Sequence, residues 1–207
     1  ERGEIVGIVG ESGSGKSASM LSVMRLLATT ATTRGTVQFD GKELFSASSK
    51  EMREIRGGKI GMIFQDPMTS LNPSFRIGSQ ITEVIIRHQH VSTKNAVAKA
   101  TDLLEVVSIP RPSESMSLFP HEMSGGMKQR VMIAMAIAND PELLIADEPT
   151  TALDVTIQAQ ILEVLKGLRE TRKLSIVIIT HDLGVVAGLA DSVNVMYAGE
   201  IIESGDV

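Results

Sequence analysis

The sequence predicts an α/β fold, a mainly parallel sheet flanked by helices with a helical region inserted between its strands. Continuous apolar runs alternate with stretches of helical periodicity, which is typical of parallel strands buried on both faces. The second observation is a stretch over residues 78–138 that looks mostly helical and separates two groups of strands. The third is a closing pair of short strands around Ala198-Gly199, which predicts an antiparallel element.

The sequence predicts strands where a short run of residues is apolar or alternates between apolar and polar. The run over 35–41 alternates and ends in Asp40-Gly41, which predicts a strand followed by a tight turn. The other runs are continuous in apolar residues and predict buried strands. The predicted strands are residues 5–9, 35–41, 59–64, 143–146, 175–180, 193–196 and 200–203.

The helices follow from apolar residues that recur every three or four positions. One helix is expected from near Ala18, and the turn-rich stretch 68–75 is expected to be a loop. The cluster Pro110–Ser113 interrupts the helical pattern. The other predicted helices cover residues 77–90, 94–107, 127–139 and 155–172. We therefore expect one domain over 1–207, with a core of about 1–67 and 139–207 and a helical subdomain of about 68–138.

Composition narrows the possible functions. The 207 residues suffice for one domain with a substantial core, and the absence of Cys excludes disulfides, thiolate metal sites and a Cys nucleophile. A formal charge of −5 with interspersed signs argues against nucleic acid as the main partner. No apolar run approaches the ~18 residues of a membrane span. Since the chain starts without Met and enters a strand at Glu4 or Ile5, we expect it to be a piece that lacks an N-terminal strand or two and a C-terminal extension.

A glycine-rich turn lies between the first strand and the first helix. Its spacing is G-x-x-x-x-G-K-[ST], in which backbone N–H groups can surround phosphate oxygens at a helix N-terminus. Lys16 would reach the β- and γ-phosphates, and the Ser17 hydroxyl would bind Mg²⁺. An ordinary Gly/Ser turn is the alternative. The nucleotide-binding residues predicted here are Gly10, Glu11, Ser12, Gly13, Ser14, Gly15, Lys16, Ser17 and Ala18.

Polar residues follow three other predicted strands, where ligands of open α/β sheets bind. Asp147 is suited to hold Mg²⁺, and Glu148 to polarise the water that attacks the γ-phosphate. His181 could hydrogen-bond a γ-phosphate oxygen and orient that water. Gln65 ends the strand over 59–64. Each of these residues could instead simply cap its strand end.

Ser124-Gly125-Gly126 precedes a predicted helix and resembles a second anion site, with a hydroxyl, two glycines and free N–H groups. The chain already has a phosphate loop, and this segment lacks a suitably placed Lys. We therefore expect it to serve the γ-phosphate bound to another copy of the domain. Alone, it would be only a flexible helix entry.

These motifs, in this order over nearly the whole chain, resemble the ATPase domain of ATP-binding cassette (ABC) transporters. Gly10–Ser17 looks like the Walker A loop, and Leu143–Glu148 resembles Walker B with its catalytic glutamate. Met123–Met127 is similar to the Leu-Ser-Gly-Gly-Gln signature, with Met at both ends. Gln65 looks like the Q-loop glutamine, Ala152–Asp154 like the D-loop and His181 like the switch histidine.

The resemblance implies a P-loop NTPase fold and ATP hydrolysis with Mg²⁺, coupled to transport. Two domains would clamp head to tail around two nucleotides, with Ser124–Gly126 and Asp154 acting across the interface. Gln65 would join Ser17 and Asp147 at Mg²⁺. The partners implied are a second ATPase domain, transmembrane permease subunits and, indirectly, a periplasmic solute-binding protein, with no nucleic acid. The implied location is the cytoplasmic face of the inner membrane.

A narrower resemblance, carried by Gln65–Pro73 and Phe119–Arg130, is to the oligopeptide/dipeptide/nickel importer subgroup, which includes glutathione importers. Met127 departs from the signature's Gln, and no aromatic residue precedes Phe39 to stack on adenine. A cytosolic ABC ATPase acting on ribosomes or DNA is an alternative, but its usual coiled-coil or basic insertion is not seen between Gln65 and Ser124. A second alternative is a scaffold that binds nucleotide without hydrolysis, which Glu148 and His181 argue against.

Overall fold

The computed structural model describes residues 1–66, 70–151 and 153–207 of the chain. In chain order the elements are β1 (Ile5–Val9), α1 (Lys16–Val23), β2 (Gln38–Phe39), β3 (Lys42–Glu43), α2 (Ser49–Ile55), β4 (Ile60–Ile63), α3 (Ile77–Gln89), α4 (Thr93–Val106), α5 (Pro112–Ser115), α6 (Gly125–Ala136), β5 (Leu143–Asp147), α7 (Val155–Arg172), β6 (Ser175–Thr180), α8 (Leu183–Leu189), β7 (Ser192–Tyr197) and β8 (Glu200–Asp206). Several helices follow one another between β4 and β5, and within the described ranges a 3₁₀ turn, Pro120–Glu122, precedes helix α6.

Six strands form one sheet in the order β4-β5-β6-β1-β7-β8. Within this sheet, the neighbours β4 and β5, β5 and β6, β6 and β1, and β1 and β7 are parallel. Strand β8 runs antiparallel to β7. The predicted mainly parallel sheet with a closing antiparallel pair is therefore confirmed. Because β5, β6 and β1 are neighbours and parallel, their carboxyl ends meet at one edge of the sheet.

The strand predicted over 35–41 is wrong in length, whereas the tight turn predicted after it is present. Only Gln38–Phe39 is extended, and it pairs antiparallel with β3 in a separate two-stranded sheet. Asp40 and Gly41 both have positive φ, 49° and 74°, so the chain reverses there at once. The Val37 N–H donates to the Glu43 carboxylate at 3.1 Å, so a side chain takes the hydrogen bond that a longer ladder would use.

The inserted region is helical, as predicted, and α3, α4 and α6 pack against one another. Helix α3 buries Ile77, Ile81 and Ile85 along one face, which is the apolar stripe of an amphipathic helix. Helix α6 begins at Gly125, two residues before the predicted start, because the Ser124 hydroxyl caps it by accepting from the Met127 N–H at 3.3 Å. The Pro110–Ser113 cluster leads into α5, where Pro112 takes the first helical position.

The inserted helices share their hydrophobic core with the sheet. One continuous buried cluster contains Ile5 and Ile178 of the sheet together with Ile81 of α3 and Ile133 of α6. A second cluster, which includes Met24, packs on the short α2 and on β4. The division into a core and a helical subdomain at 67/68 and 138/139 stays a prediction. No helix within the described ranges is long and apolar enough to cross a membrane.

Candidate functional site

The phosphate loop and the end of β5 meet in the folded chain. The Ser17 hydroxyl, in the first turn of α1, donates a hydrogen bond to Asp147 Oδ1 at 2.8 Å. These residues are 130 positions apart in sequence, and the order β5-β6-β1 brings them together. The motif that we predicted to bind phosphates and the carboxylate that we predicted to bind Mg²⁺ therefore form one site.

The loop over 10–17 has the geometry of an anion cradle. Gly13 and Gly15 adopt φ angles of 83° and 101°, which residues with a Cβ atom rarely adopt. A Cβ on Gly10 would lie 2.2 Å from the Met196 carbonyl oxygen, so the loop can approach β7 this closely only with glycine. Among the described residues, the buried Ser14 hydroxyl is the side-chain group without a hydrogen-bond partner. A phosphate oxygen would supply that partner.

Lys16 is held with its ammonium group inside this loop. Its Nζ donates to the backbone carbonyls of Gly10 at 2.7 Å and Glu11 at 2.9 Å, and the residue is 4% exposed. The loop carbonyls thus orient the ammonium group. Glu11 and Ser12 are exposed on the loop, and Ala18 is exposed on the first turn of α1.

Asp147 lies buried at the end of β5 beside the Ser17 hydroxyl. Burial raises its pKa and the neighbouring charge of Glu148 adds to this, whereas the hydrogen bond from Ser17 and the charge of Lys16 act in the opposite direction. A carboxylate and a hydroxyl are hard oxygen donors that fit Mg²⁺. The described residues contain no group of three or more His, Cys, Asp or Glu that could hold a metal ion alone. A cation here would thus need further ligands from water or a phosphate.

Glu148 carries the most connected carboxylate of the site. Its Oε2 accepts from Gln65 Nε2 at 3.1 Å and from the Thr151 hydroxyl at 2.7 Å, and its Oε1 lies 3.4 Å from His181 Nδ1. Burial raises its pKa, but the hydrogen bonds from Thr151, His181 and Gln65 outweigh this, so its pKa is lower than usual. The carboxylate is therefore held in its ionised form.

The backbone around Glu148 directs this side chain away from the strand. Glu148 adopts φ of 46°, a left-handed conformation that non-glycine residues rarely take. Its N–H still donates to the Ile179 carbonyl of β6 at 2.9 Å. His181 directly follows β6, so the ladder between β5 and β6 brings the two side chains together.

Gln65 lies beside Glu148 in the folded chain. Its amide nitrogen donates to that carboxylate at 3.1 Å, and its place with Ser17 and Asp147 around a cation stays a prediction. Gln65 can contact Glu148 because it lies two residues after β4, Glu148 directly follows β5, and β4 and β5 are neighbours in the sheet. The subgroup motif over 65–73 runs through residues 67–69, which lie outside the described residues.

The segment Ser124–Gly126 packs on the start of α7. A Cβ on Gly126 would lie 2.7 Å from Ile157 Cγ2, and a Cβ on Gly125 would lie 3.8 Å from Leu153 Cδ2. Asp154 caps α7 by accepting from the Ile157 N–H at 3.0 Å. Ser124–Gly126 and Asp154 are therefore adjacent. The phosphate loop instead contacts Met196 of β7 and Gly199, which lies between β7 and β8. Ala152, the first residue of the predicted D-loop, lies outside the described residues.

Sequence reasoning missed Thr151, which contacts the Glu148 carboxylate through its hydroxyl. The signal was present, because Glu148-Pro149-Thr150-Thr151 has the Pro at the second position that favours a tight turn. Such a turn returns the fourth residue to the first, and the Thr151 N–H indeed donates to the Glu148 carbonyl at 3.2 Å.

Known proteins are similar to this chain in sequence. The oligopeptide transport ATP-binding protein OppD of Bacillus subtilis is 57% identical over 209 residues, which cover 100% of this chain and 58% of that protein. The dipeptide transport ATP-binding protein DppD of Escherichia coli is 53% identical over 207 residues, which cover 100% of this chain and 63% of that protein. The chain thus spans about three fifths of the length of these relatives.

Solved structures share the fold. A dimeric ATP-binding cassette in a post-hydrolysis state with ADP and Pi superposes with a TM-score of 0.87 at 30% identity, covering 100% of this chain and 86% of that one. The protein cbiO1 of Clostridium perfringens, part of an ABC transporter complex, gives a TM-score of 0.84 at 28% identity, covering 100% and 78%. The profile of the family described as ABC transporter matches residues 1–151, most of the chain, and the chain therefore belongs to this family.

Proposed function

We propose that this chain is the ATP-binding and hydrolysing domain of an importer for a peptide-like solute. The observation that carries the proposal is the meeting of the Ser17–Asp147 pair with the Glu148 carboxylate at one sheet edge. It combines a phosphate cradle, oxygen ligands for a cation and a carboxylate base. These are the parts that phosphoryl transfer to water requires.

ATP binds with its phosphates in the loop over 10–17. Lys16, oriented by the Gly10 and Glu11 carbonyls, meets the β- and γ-phosphate oxygens. The unpaired Ser14 hydroxyl donates to another oxygen. Ser17, Asp147 and Gln65 would hold Mg²⁺, and the ion would neutralise charge on the phosphates.

Glu148 is the general base for hydrolysis. A water molecule forms a bond to the γ-phosphorus as the bond to the β,γ-bridging oxygen breaks, and the proton of that water passes towards Glu148. ADP takes the electron pair of the broken bond, and inorganic phosphate is released. His181, beside Glu148 Oε1, orients the water and the γ-phosphate. Gln65, which donates to Glu148, would link this carboxylate to the cation ligands and so report whether nucleotide is bound.

The complete site is shared between two copies of the domain or two related domains. Ser124, Gly125 and Gly126 present a hydroxyl and a helix N-terminus to the γ-phosphate in the partner's loop. Asp154 lies beside this segment at the start of α7 and acts at the same interface. The dimeric cassette bound to ADP and Pi supports this arrangement by its similarity.

Transport is proposed from the relatives, whose names describe oligopeptide and dipeptide transport ATP-binding proteins. The helical region over 68–138 receives a transmembrane permease subunit, so the domain is peripheral at the cytoplasmic face of the inner membrane. A periplasmic solute-binding protein delivers the solute to the permease. Uptake of a labelled peptide by cells that carry or lack the protein tests this part.

The hydrolytic part is tested with two variants. Glu148→Gln keeps the side-chain shape but removes the base, so ATP should still bind while turnover falls by about 10²–10⁴-fold. Lys16→Ala removes the ammonium group that meets the phosphates, so the affinity for ATP should itself fall. Phosphate release measures turnover, and titration with a fluorescent ATP analogue measures affinity.

The exposed Lys50 of α2 provides the matched control, because Lys50→Ala removes the same charge from a distant surface. It should leave both quantities unchanged. Near-normal turnover of Glu148→Gln would remove Glu148 as the base. Unchanged nucleotide affinity of Lys16→Ala would contradict the role given to the loop.

A further inference from the structure

We infer that Thr151 is a positioning residue, whose hydroxyl holds the Glu148 carboxylate so that one oxygen faces the attacking water. The inference rests on the proposed function and concerns a residue outside the phosphate loop, the cation ligands and the predicted base. It is carried by the contact between the Thr151 hydroxyl and Glu148 Oε2, which at 2.7 Å is the shortest that this carboxylate makes with a described residue.

The contact belongs to a locally fixed turn. The Thr151 N–H donates to the Glu148 carbonyl at 3.2 Å, and Pro149 between them restricts the backbone. The hydroxyl of Thr151 then returns to the carboxylate of the same Glu148. Two hydrogen bonds within four residues thus join the base to its own turn, independently of any other element.

The other two partners of Glu148 come from distant strands. Gln65 follows β4 and His181 follows β6, 83 and 33 residues away in sequence. The His181 side chain is 61% exposed, whereas that of Glu148 is 12% exposed. In the proposed function both partners have a second task, since Gln65 would help to hold Mg²⁺ and His181 would bond the γ-phosphate. Thr151 has no such second task, so it remains on the carboxylate during the reaction.

The two carboxylate oxygens are thereby given different tasks. Thr151 occupies Oε2, and Oε1 faces His181. Once His181 bonds the γ-phosphate, Oε1 is the oxygen that accepts the hydrogen bond from water. Without the hydroxyl, the glutamate side chain could rotate about its own torsions, and a misplacement of about 1 Å costs about 10²-fold in rate.

The test compares Thr151→Val, which removes only the hydroxyl, with Thr151→Ser, which keeps it. Thr151→Val should lower kcat by about 10- to 100-fold while KM and the affinity for a fluorescent ATP analogue stay unchanged, since Thr151 does not bind the nucleotide. Thr151→Ser should recover most of kcat. In a Glu148→Gln background, Thr151→Val should have no further effect, because its target is gone.

The control is Thr171→Val, which removes a hydroxyl that bonds the Gly167 carbonyl at 2.7 Å on the exposed side of α7. It should leave kcat at the wild-type value. Thermal unfolding of every variant shows whether the fold is retained, and Thr151→Ala replaces Thr151→Val if the valine does not fit.

Three outcomes would overturn the inference. Wild-type kcat in Thr151→Val would mean that the hydroxyl does nothing for the base. A loss in Thr151→Ser equal to that in Thr151→Val would assign the effect to the methyl group. A raised KM with unchanged kcat would assign it to binding. Failure of the proposed function is recognised separately, because the wild-type protein would then hydrolyse no ATP or Glu148→Gln would retain turnover.

Discussion

Two adjacent carboxylates at the end of β5 have pKa values shifted in opposite directions. Burial raises the pKa of Asp147, whereas hydrogen bonds from Thr151, His181 and Gln65 overcome burial and lower that of Glu148. Opposite environments of this kind separate the tasks of neighbouring acids. In the proposed function, Asp147 would gain from a bound cation that favours its ionised form, and the ionised Glu148 would accept the proton of water.

The carboxylate of Glu43 accepts backbone hydrogen bonds next to the short strands β2 and β3. It accepts hydrogen bonds from the backbone N–H groups of Val37, Phe45 and Ser46, with the bonds from Val37 and Ser46 contributing most, and these bonds lower its pKa to about 2. The short β2–β3 hairpin is thus closed by a charged side chain. Its stability should therefore depend on pH.

We expect Glu43→Gln to destabilise the protein above about pH 4.5 and to matter progressively less below it. A pKa of about 2 in the folded state and 4.5 without these bonds means that the carboxylate stabilises the fold above pH 4.5 and loses this effect as the pH falls towards 2. Urea unfolding between pH 6 and pH 3 measures the difference. The exposed Glu105→Gln on α4 is the control, and a difference from wild type that stays constant across this range would contradict the assignment.

At the scale of elements, the start of α6 is fitted to the start of α7. Gly126 lies so close to Ile157 that a Cβ would approach it to 2.7 Å, whereas Gly125, one residue earlier, leaves 3.8 Å to Leu153. Asp154 caps α7 at the same place. The segment predicted to bind a partner's phosphate is therefore held in position by close packing with α7.

The two glycines should respond differently to the same substitution. Gly126→Ala would push the β-branched Ile157 away and cost about 1–3 kcal/mol, a fall in Tm of several degrees. Gly125→Ala makes an ordinary contact and adds helix propensity, so we expect unchanged or slightly higher Tm. Calorimetry of both variants provides the measurement. Equal Tm values for the two variants would contradict this, because α7 would then be able to shift without a loss of stability.

At the scale of the whole molecule, two candidate phosphate-binding segments lie in different places on one chain. The phosphate loop and Glu148 meet at one sheet edge, and Ser124–Gly126 packs on α7 instead. In the proposed arrangement, a second copy brings its own Ser124–Gly126 to this loop. The chain alone would then hold an incomplete site.

Specific ATPase activity should therefore rise with protein concentration and level off when the dimer is fully populated. Phosphate release measured over a wide range of concentration tests this, and Glu148→Gln, which binds ATP without turnover, should form a dimer detectable by light scattering. Activity that is independent of concentration in a strictly monomeric sample would contradict a shared site.

Strong local signals made most of the fold and much of the site predictable. Helix α7 begins and ends where the apolar stripe of Ile161, Leu165 and Leu168 predicted. The residues of the loop over 10–17 were identified because glycine spacing and Lys-Ser form a rare pattern. The strand over 35–41 was not predictable in detail, because the Val37 N–H donates to the side chain of Glu43, a contact that the alternating pattern does not reveal.

The sequence alone determined most strands, the long helices, the phosphate loop and the acidic pair at the end of β5, because these depend on neighbours along the chain. It did not predict the short helices α2 and α5 or the short strand β3. Only the tertiary structure decided that Gln65 bonds Glu148 and that Thr151 shares the same oxygen. It also decided that Ser124–Gly126 packs on α7. Such contacts depend on strand order and on a left-handed turn at Glu148, which arise only when distant segments pack together.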